Sequence, residues 1–313
     1  MIVVCGEALL DVFTMGETRT GLALEASVGG SPFNLAMGLA RLGQSVGFFG
    51  AISTGFAGDV LLRALQAEGV DTSAVVRKGA PTTLSLIGLD AQGVPSYSFY
   101  GMGCADRLLD PADLDRLPPT LRALCVGSFA SVVEPCATAL RELVERQKHR
   151  SLIAFDPNIR LNVEPDVALW KAQLEWMLAR VDLLKISQED LAVLYPDLTP
   201  AAFSRQALEH SAKLVVITCG ASGALAWTAK GSASISPEKV AVIDTVGAGD
   251  TFQAALITWL AEHDALSRNA LAALEPDGLQ RALTFAAKAA ALTCSRRGAD
   301  MPRRAELGAA GTR

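Results

Sequence analysis

The chain has 313 residues, half of them hydrophobic, and a formal net charge of −5, which suffices for one large domain or two with a sizeable core. The mild acidity, with Ser295–Arg304 as the densest basic stretch, argues against nucleic acid or an anionic membrane surface as partner. Mean hydropathy is +0.30, yet Ala and Leu spread it along the chain, and no uncharged run is long enough to span a bilayer.

The first residues, MIVVCGEALLDVF, lack a basic region and a cleavage site, so they read as a buried strand and not a signal peptide. Thr14–Val28 is polar with small apolar alternations. Asn34–Leu42 has a helical pattern, SVGFFGAI reads as a second buried strand, and Asp59–Glu68 is helical again. Thr82–Tyr100 alternates as two strands around a turn at Ala91-Gln92-Gly93. From there strands alternate with helices: ALCVG, Pro135–His149, SLIAFD, Val167–Arg180, DLLKIS, Ala201–His210 and KLVVIT. Thr251–His263 and Leu279–Thr293 are two longer helical stretches, and GAAGTR is a loose tail. This order predicts an α/β fold with a mostly parallel central sheet and helices on both faces. The two polar segments predict a small antiparallel sheet standing off it, either a lid over a pocket or an ordinary edge hairpin. One domain over residues 1–313 is expected, with the lid drawn from about 12–30 and 82–108.

Six cysteines are scattered without C-x-x-C spacing, which predicts reduced thiols and a cytoplasmic protein. Three histidines lie far apart, so a histidine metal site or a Ser-His-Asp triad is not expected.

Three stretches put chemistry-bearing residues at element ends. Asp11 follows the first strand, and the carboxyl edge of a parallel sheet is where ligands sit; a solvated strand end is the plainer reading. In GGSPFNLAMGLARLG, Gly29-Gly30 permit close backbone approach, and Pro32 and Asn34 start a helix. The stretch lacks the lysine of a phosphate loop, so it reads either as a helix start or as a turn presenting Asn34 to a polar ligand. In DTVGAGDTF, Gly247 and Gly249 let backbone N–H groups converge where a helix begins, which suits an anion. Asp250 either caps that helix or takes the proton of a hydroxyl attacking a phosphate.

GGSPFNLA and DTVGAGDTF together resemble the two signature motifs of the PfkB (ribokinase-like) carbohydrate kinases. Further similar stretches, GEALLDVF, GFAGDVLLRALQAEGVDTS, FDPNIR, TCGASGAL and ALTCSRRGA, extend the resemblance over nearly the whole chain. The resemblance implies a ribokinase-like fold with a β-lid that closes over the sugar and can contribute to a homodimer. It implies Asp250 as catalytic base, with the N–H groups of Gly247, Ala248 and Gly249 as the anion hole. Asp11, Gly30 and Asn34 match sugar-binding positions. Ser187 and the turn bearing Thr218, Gly220 and Gly223 match the nucleotide border. The implied cofactors are ATP with Mg²⁺ and K⁺, the monovalent cation matching Asp244 and carbonyls around Val246, Thr293, Arg296 and Gly298.

The chain departs from the family in places. Where relatives have N-x-x-E near Mg²⁺ and phosphate, this chain has SQED, with Ser187 for Asn and Asp190 for Glu, so any metal role of Asp190 is indirect. Ala287 or Lys288 replaces an Asn that relatives often place near the base. For the substrate, YGMGCADRLL and FDPNIR resemble the fructokinase branch, implying sugar-side roles for Phe99, Asp106, Asn158 and Arg160. Phe33 and Tyr97 are further aromatic candidates. Arg160 would bond a sugar hydroxyl or clamp a carboxylate, which keeps 2-keto-3-deoxygluconate kinase as the alternative; a surface salt bridge is its plain reading. A dehydrogenase would need G-x-G-x-x-G after the first strand, and CGEALLD is not that. A catalytically inactive nucleotide-binding regulator would have lost the base or the glycines, and both are present.

Overall fold

Among the described residues, fourteen runs of β-branched and small apolar residues become strands. They are β1 (Ile2–Cys5), β2 (Leu9–Thr18), β3 (Gly21–Gly29), β4 (Val46–Phe49), β5 (Ala51–Ser53), β6 (Val76–Lys78), β7 (Leu84–Leu89), β8 (Pro95–Tyr100), β9 (Ala123–Gly127), β10 (Leu152–Asp156), β11 (Leu183–Ser187), β12 (Leu214–Thr218), β13 (Ala224–Thr228) and β14 (Gly231–Ile235). The helices are α1 (Ser31–Arg41), α2 (Phe56–Ala67), α3 (Cys136–Gln147), α4 (Val167–Leu178), α5 (Gln188–Leu194), α6 (Pro200–Glu209), α7 (Ala248–Glu262), α8 (Arg268–Ala272) and α9 (Pro276–Cys294). This computed structural model describes residues 1–89, 95–118, 120–238 and 240–308, without the side chains of 89 and 95–97. The expected turn at Ala91-Gln92-Gly93 and all but the first residue of the tail lie outside the described residues.

The main sheet runs β14-β13-β12-β11-β10-β9-β1-β4. Its six strands from β12 to β4 are parallel, and β13 and β14 extend it as an antiparallel hairpin. Alternation along each strand feeds two cores. Ile2, Val4, Leu214 and Val216 face the core built with α1, α2, α7 and α9. Val3, Cys5, Val215 and Ile217 face the core built with α3, α4 and α6. In α7 every residue from Asp250 to Ala261 is buried, so this helix is a core element apolar nearly all round.

The two polar segments form a second sheet, ordered β3-β2-β7-β8. It is two antiparallel hairpins joined by parallel pairing of β2 with β7. SVGFFGAI does not stay one strand. It breaks at Gly50, where a Cβ would lie 2.3 Å from the Gly6 carbonyl oxygen, and β5 pairs instead with β6 in a two-stranded sheet. The sequence pattern also missed α5, α8 and the β13–β14 hairpin. The first two, of seven and five residues, are too short for periodicity to be legible. No helix among the described residues is long and apolar enough to cross a membrane.

Candidate active site

The two glycine turns meet through their helices. A Cβ on Gly29 would lie 2.2 Å from Asp11 Oδ2, and Gly30 has φ +105°, its Cβ position 2.9 Å from the Glu7 carbonyl oxygen. The diglycine therefore makes room for the Asp11 carboxylate and swings the chain into α1. Ser31 and Asn34, three residues apart, share one face of α1. That face packs against α7. Ser31 Oγ donates to Asp250 Oδ1 at 2.6 Å, and Asn34 Nδ2 donates to Oδ2 at 2.9 Å.

At the start of α7, Gly247 is the N-cap residue with φ +76°. A Cβ there would lie 2.6 Å from that of Ala299. The N–H of Ala248 turns back to the Thr245 carbonyl at 3.2 Å, and among the described residues those of Gly249 and Asp250 have no acceptor. Asp250 does not cap the helix, because both its oxygens are held by α1. Asp250 as a whole residue is 9 % exposed. Burial raises its pKa above the ordinary value, against the opposing pull of Ser31, Asn34, Lys185 and Arg160.

Asp250 lines a cavity of about 410 Å³ together with Asp11, Gly30, Asn34, Phe99, Asn158, Arg160, Val246, Gly247 and Gly249. Ten sequence-predicted positions thus share one space. Burial pushes the Asp11 carboxyl up to about 6, with Ser85 and Arg160 opposing and the Asp250 charge adding to it. Phe99 meets Phe129 edge to face at 5.5 Å, and the Arg107 guanidinium lies over both rings. Asn158 has φ +41°, and its Nδ2 is buried without a partner. Arg160 donates to the Ile159 carbonyl at 2.9 Å and makes no ion pair among the described residues, so the surface salt-bridge reading is not what the fold does with it.

Two expectations shift. Asp106 is 2 % exposed and off the cavity wall. It accepts from the Thr83 hydroxyl, and its carbonyl accepts from Cys136 Sγ at 3.2 Å. Phe33 is fully buried in the core against Phe48. The Tyr97 side chain lies outside the description.

Ser187 and Thr218 are register partners at the carboxyl ends of β11 and β12, along the same sheet edge but not on the cavity wall. Gly220 and Gly223 have φ +51° and +94°, and a Cβ on Gly223 would lie 2.0 Å from the Ile235 carbonyl oxygen. Ser187 caps α5, accepting from the Asp190 N–H at 2.9 Å. Burial, then the Asp156 charge, pushes Asp190 up to about 6. Among the described residues no cluster of three or more His, Cys, Asp or Glu could hold a metal by itself. Lys288 Nζ turns away to the Leu307 carbonyl at 3.0 Å.

The expected cation loops are stitched together. Asp244 Oδ1 accepts from the Val246 N–H at 3.0 Å, and Oδ2 accepts from the Gly298 N–H at 2.8 Å. Thr293 Oγ1 pairs with Thr251 Oγ1 at 2.9 Å, and the Thr293 carbonyl accepts from the Arg296 N–H. The Arg296 side chain goes to Glu306. A carboxylate and several carbonyls on adjacent loops are the donor set of a hard cation.

Sequence reasoning missed Ser31, Glu7 and the Asp156–Lys185 pair. Lys185 was visible as a charge inside the apolar run DLLKIS, a position where lysine is found only when paired. Glu7 lines the cavity with an unpartnered, buried Oε2, and burial pushes it up to about 7.

The pfkB family carbohydrate kinase model matches residues 1–305. The chain is 35 % identical over 280 residues to a fructokinase of Rhizobium leguminosarum bv. trifolii, covering 90 % of this chain and 86 % of that one. It is 31 % identical over 310 residues to fructokinase-2 of Solanum lycopersicum, covering 96 % and 92 %. Fructokinase of Xylella fastidiosa with bound ATP superposes with a TM-score of 0.88 at 26 % identity, covering 99 % of this chain and 97 % of that one. With its family match, its similarity to fructokinases and its mostly parallel sheet with a small second sheet, the chain belongs to the pfkB family of carbohydrate kinases, on the fructokinase-like branch.

Proposed function

We propose that the chain is an ATP-dependent fructokinase, moving the γ-phosphoryl group of ATP to a hydroxyl of fructose. The observation that carries this is the Asp250 carboxylate, buried at the N-terminus of α7, gripped by Ser31 and Asn34, and facing a cavity that Asp11, Asn158 and Arg160 also line. The fructokinase relatives supply the sugar.

In this reading Asp11, Asn34, Asn158 and Arg160 orient the sugar, with Phe99 against its apolar side. Asp250 accepts the hydroxyl proton as the oxygen attacks phosphorus. The transition state is loose, so positioning and charge stabilisation outweigh covalent chemistry. The free N–H groups at the start of α7 receive the moving phosphoryl group, helped by the helix dipole. ATP lies along the sheet edge past Ser187 and the Thr218–Gly223 turn. Mg²⁺, when bound, neutralises charge on the phosphates; a single carboxylate such as Asp190 suits a Mg²⁺ held mainly by substrate phosphates and water. K⁺ would take the Asp244 carboxylate and neighbouring carbonyls. The second sheet acts as a lid excluding water, which would otherwise hydrolyse ATP. Its exposed Leu22 and Leu24 fit a homodimer formed through the lid. Six unpaired cysteines fit a reducing cytoplasm. The whole chain is read as one kinase domain.

Arg160, free of any carboxylate partner among the described residues, keeps 2-keto-3-deoxygluconate as the second reading. ADP release with Mg²⁺-ATP and K⁺ across fructose, 2-keto-3-deoxygluconate, ribose, tagatose, glucose and adenosine tests both. Preference for fructose supports the first reading and preference for the keto acid the second. ATP binding without turnover on any of them counts against a sugar kinase of this specificity.

A further inference from the structure

Lys185 stands in β11 between Leu184 and Ile186, both fully buried, and its side chain leaves the opposite face of the strand, carrying a charge into the interior below α7. Its Nζ donates to Asp156 Oδ2 at 2.6 Å, with each side chain 5 % exposed. This is its only hydrogen bond among the described residues, so two of its three N–H donors are free. Asp156 Oδ1 is buried without a partner. A buried ion pair repays its desolvation only when the remaining donors and acceptors are satisfied, and here they are not. Above Nζ lies the anion turn: a Cβ on Gly249 would sit 3.2 Å from it. Burial pulls the lysine toward neutrality, but Asp156 outweighs it and keeps Lys185 charged.

We propose that Lys185 is a positioning residue for phosphoryl transfer: Asp156 holds its ammonium beneath the Gly247–Gly249 turn, where the charge supplements the helix N-terminus as the phosphoryl group arrives. The proposal rests on the kinase reading above. In a water-poor site a fixed charge acts far more strongly than in solvent. The charged groups facing Asp250 are Lys185 from β11, Arg160 from the loop after β10 and Asp11 from β2; Ser31 and Asn34 of α1 are neutral. Lys185 also faces Asp190 of α5. Without Lys185, Arg160 is the remaining cation and Asp250 holds its proton to higher pH.

Lys185→Met alone would strand the Asp156 carboxylate in the core, so the test removes both charges together. Lys185→Met with Asp156→Asn is expected to melt within about 5 °C of wild type and to bind ADP within about threefold. Its kcat is expected to fall about 10- to 100-fold with sugar KM nearly unchanged, and the acid limb of kcat to move up in pH. Lys185→Gln with Asp156→Asn is the second pair if the first does not fold. A folded double variant with wild-type kcat and pH profile would show the pair to be structural and overturn the proposal. Calorimetry with ADP, alone and with aluminium fluoride, reads the same charge without turnover. The mimic of the moving phosphoryl group should tighten ADP binding in wild type and lose about tenfold or more of that gain in the double variant; equal tightening in both overturns the proposal. A wild-type protein that binds ADP with aluminium fluoride yet phosphorylates no sugar in the panel fails the substrate reading, and the calorimetric comparison still decides Lys185.

Discussion

The large and small sheets of this protein solve opposite problems. In the large sheet β1, β4, β9 and β10 are buried at every residue, and α7 between its helices is buried along nearly its whole length. In the small sheet β3 exposes most of its residues, Leu22 and Leu24 among them. Groups carried by the large sheet and its helices are fixed by packing, which is what holds Asp250, Ser31 and Asn34 within hydrogen-bond distance of one another. The small sheet buries too little apolar surface to be held as firmly, and low-stability elements are the ones free to move in function. The difference is one of burial: the large sheet is packed on both faces, and the outer strand of the small sheet is open to solvent.

The comparison is broken most severely at the packed half. Asp250→Ala should lower kcat by roughly 10²–10⁴ while the protein folds normally; a folded variant with near-normal turnover would remove Asp250 from the chemistry. Gly249→Val should lower kcat by about 10²–10³, because the added Cβ approaches Lys185 Nζ to 3.2 Å and the branched methyls crowd the N–H groups that face the phosphoryl group. Undisturbed ATP turnover in that variant would show that no anion sits there.

Glu7, where the two sheets meet, sharpens the contrast through stability. Burial raises its carboxyl from 4.5 to about 7. Below pH 4.5 it is protonated folded and unfolded, and costs nothing. Between pH 4.5 and 7 the unfolded chain releases the proton first, so stability falls as pH rises; above pH 7 the cost is complete, on the order of 3 kcal/mol. Glu7→Gln should therefore melt level with wild type near pH 4.5 and above it at pH 8. A melting difference that is the same at both pH values would contradict the burial cost. At the far end of the small sheet, Leu22→Glu with Leu24→Glu should change kcat by less than about threefold and abolish self-association in sedimentation velocity. A large loss of activity with unchanged association would mean that this edge serves the site and not a dimer.

Much of the site was legible before any coordinates. Gly29-Gly30 and Gly247–Gly249 stand out in the sequence as glycines before helices, although a plain helix start reads equally well from the first pair; in the fold a Cβ on Gly29, Gly30 or Gly247 would collide with Asp11, Glu7 or Ala299 in turn. Asn34 lies one turn into α1, on the face that periodicity implies, and there its Nδ2 reaches Asp250. Asp106 was misplaced because its neighbourhood was read from a motif, and a motif does not say which way a side chain turns; here it turns to Thr83, inside the protein. Lys185 went unread because its partner is 29 residues away on β10, and no local pattern links the two.

The amino-acid sequence by itself determined the alternation of strands and helices, the two glycine turns and the carboxylate that follows each of the first and last of the site's strands and loops, because these depend on backbone freedom and on periods of two and 3.6 residues. Only the tertiary structure decided that Asp250 is held by α1 and so is no helix cap, that burial raises its pKa, and that a buried lysine lies under the anion turn. Those outcomes depend on contacts between residues far apart in the chain and on removal of water from charged groups, and both come into being only when the elements pack.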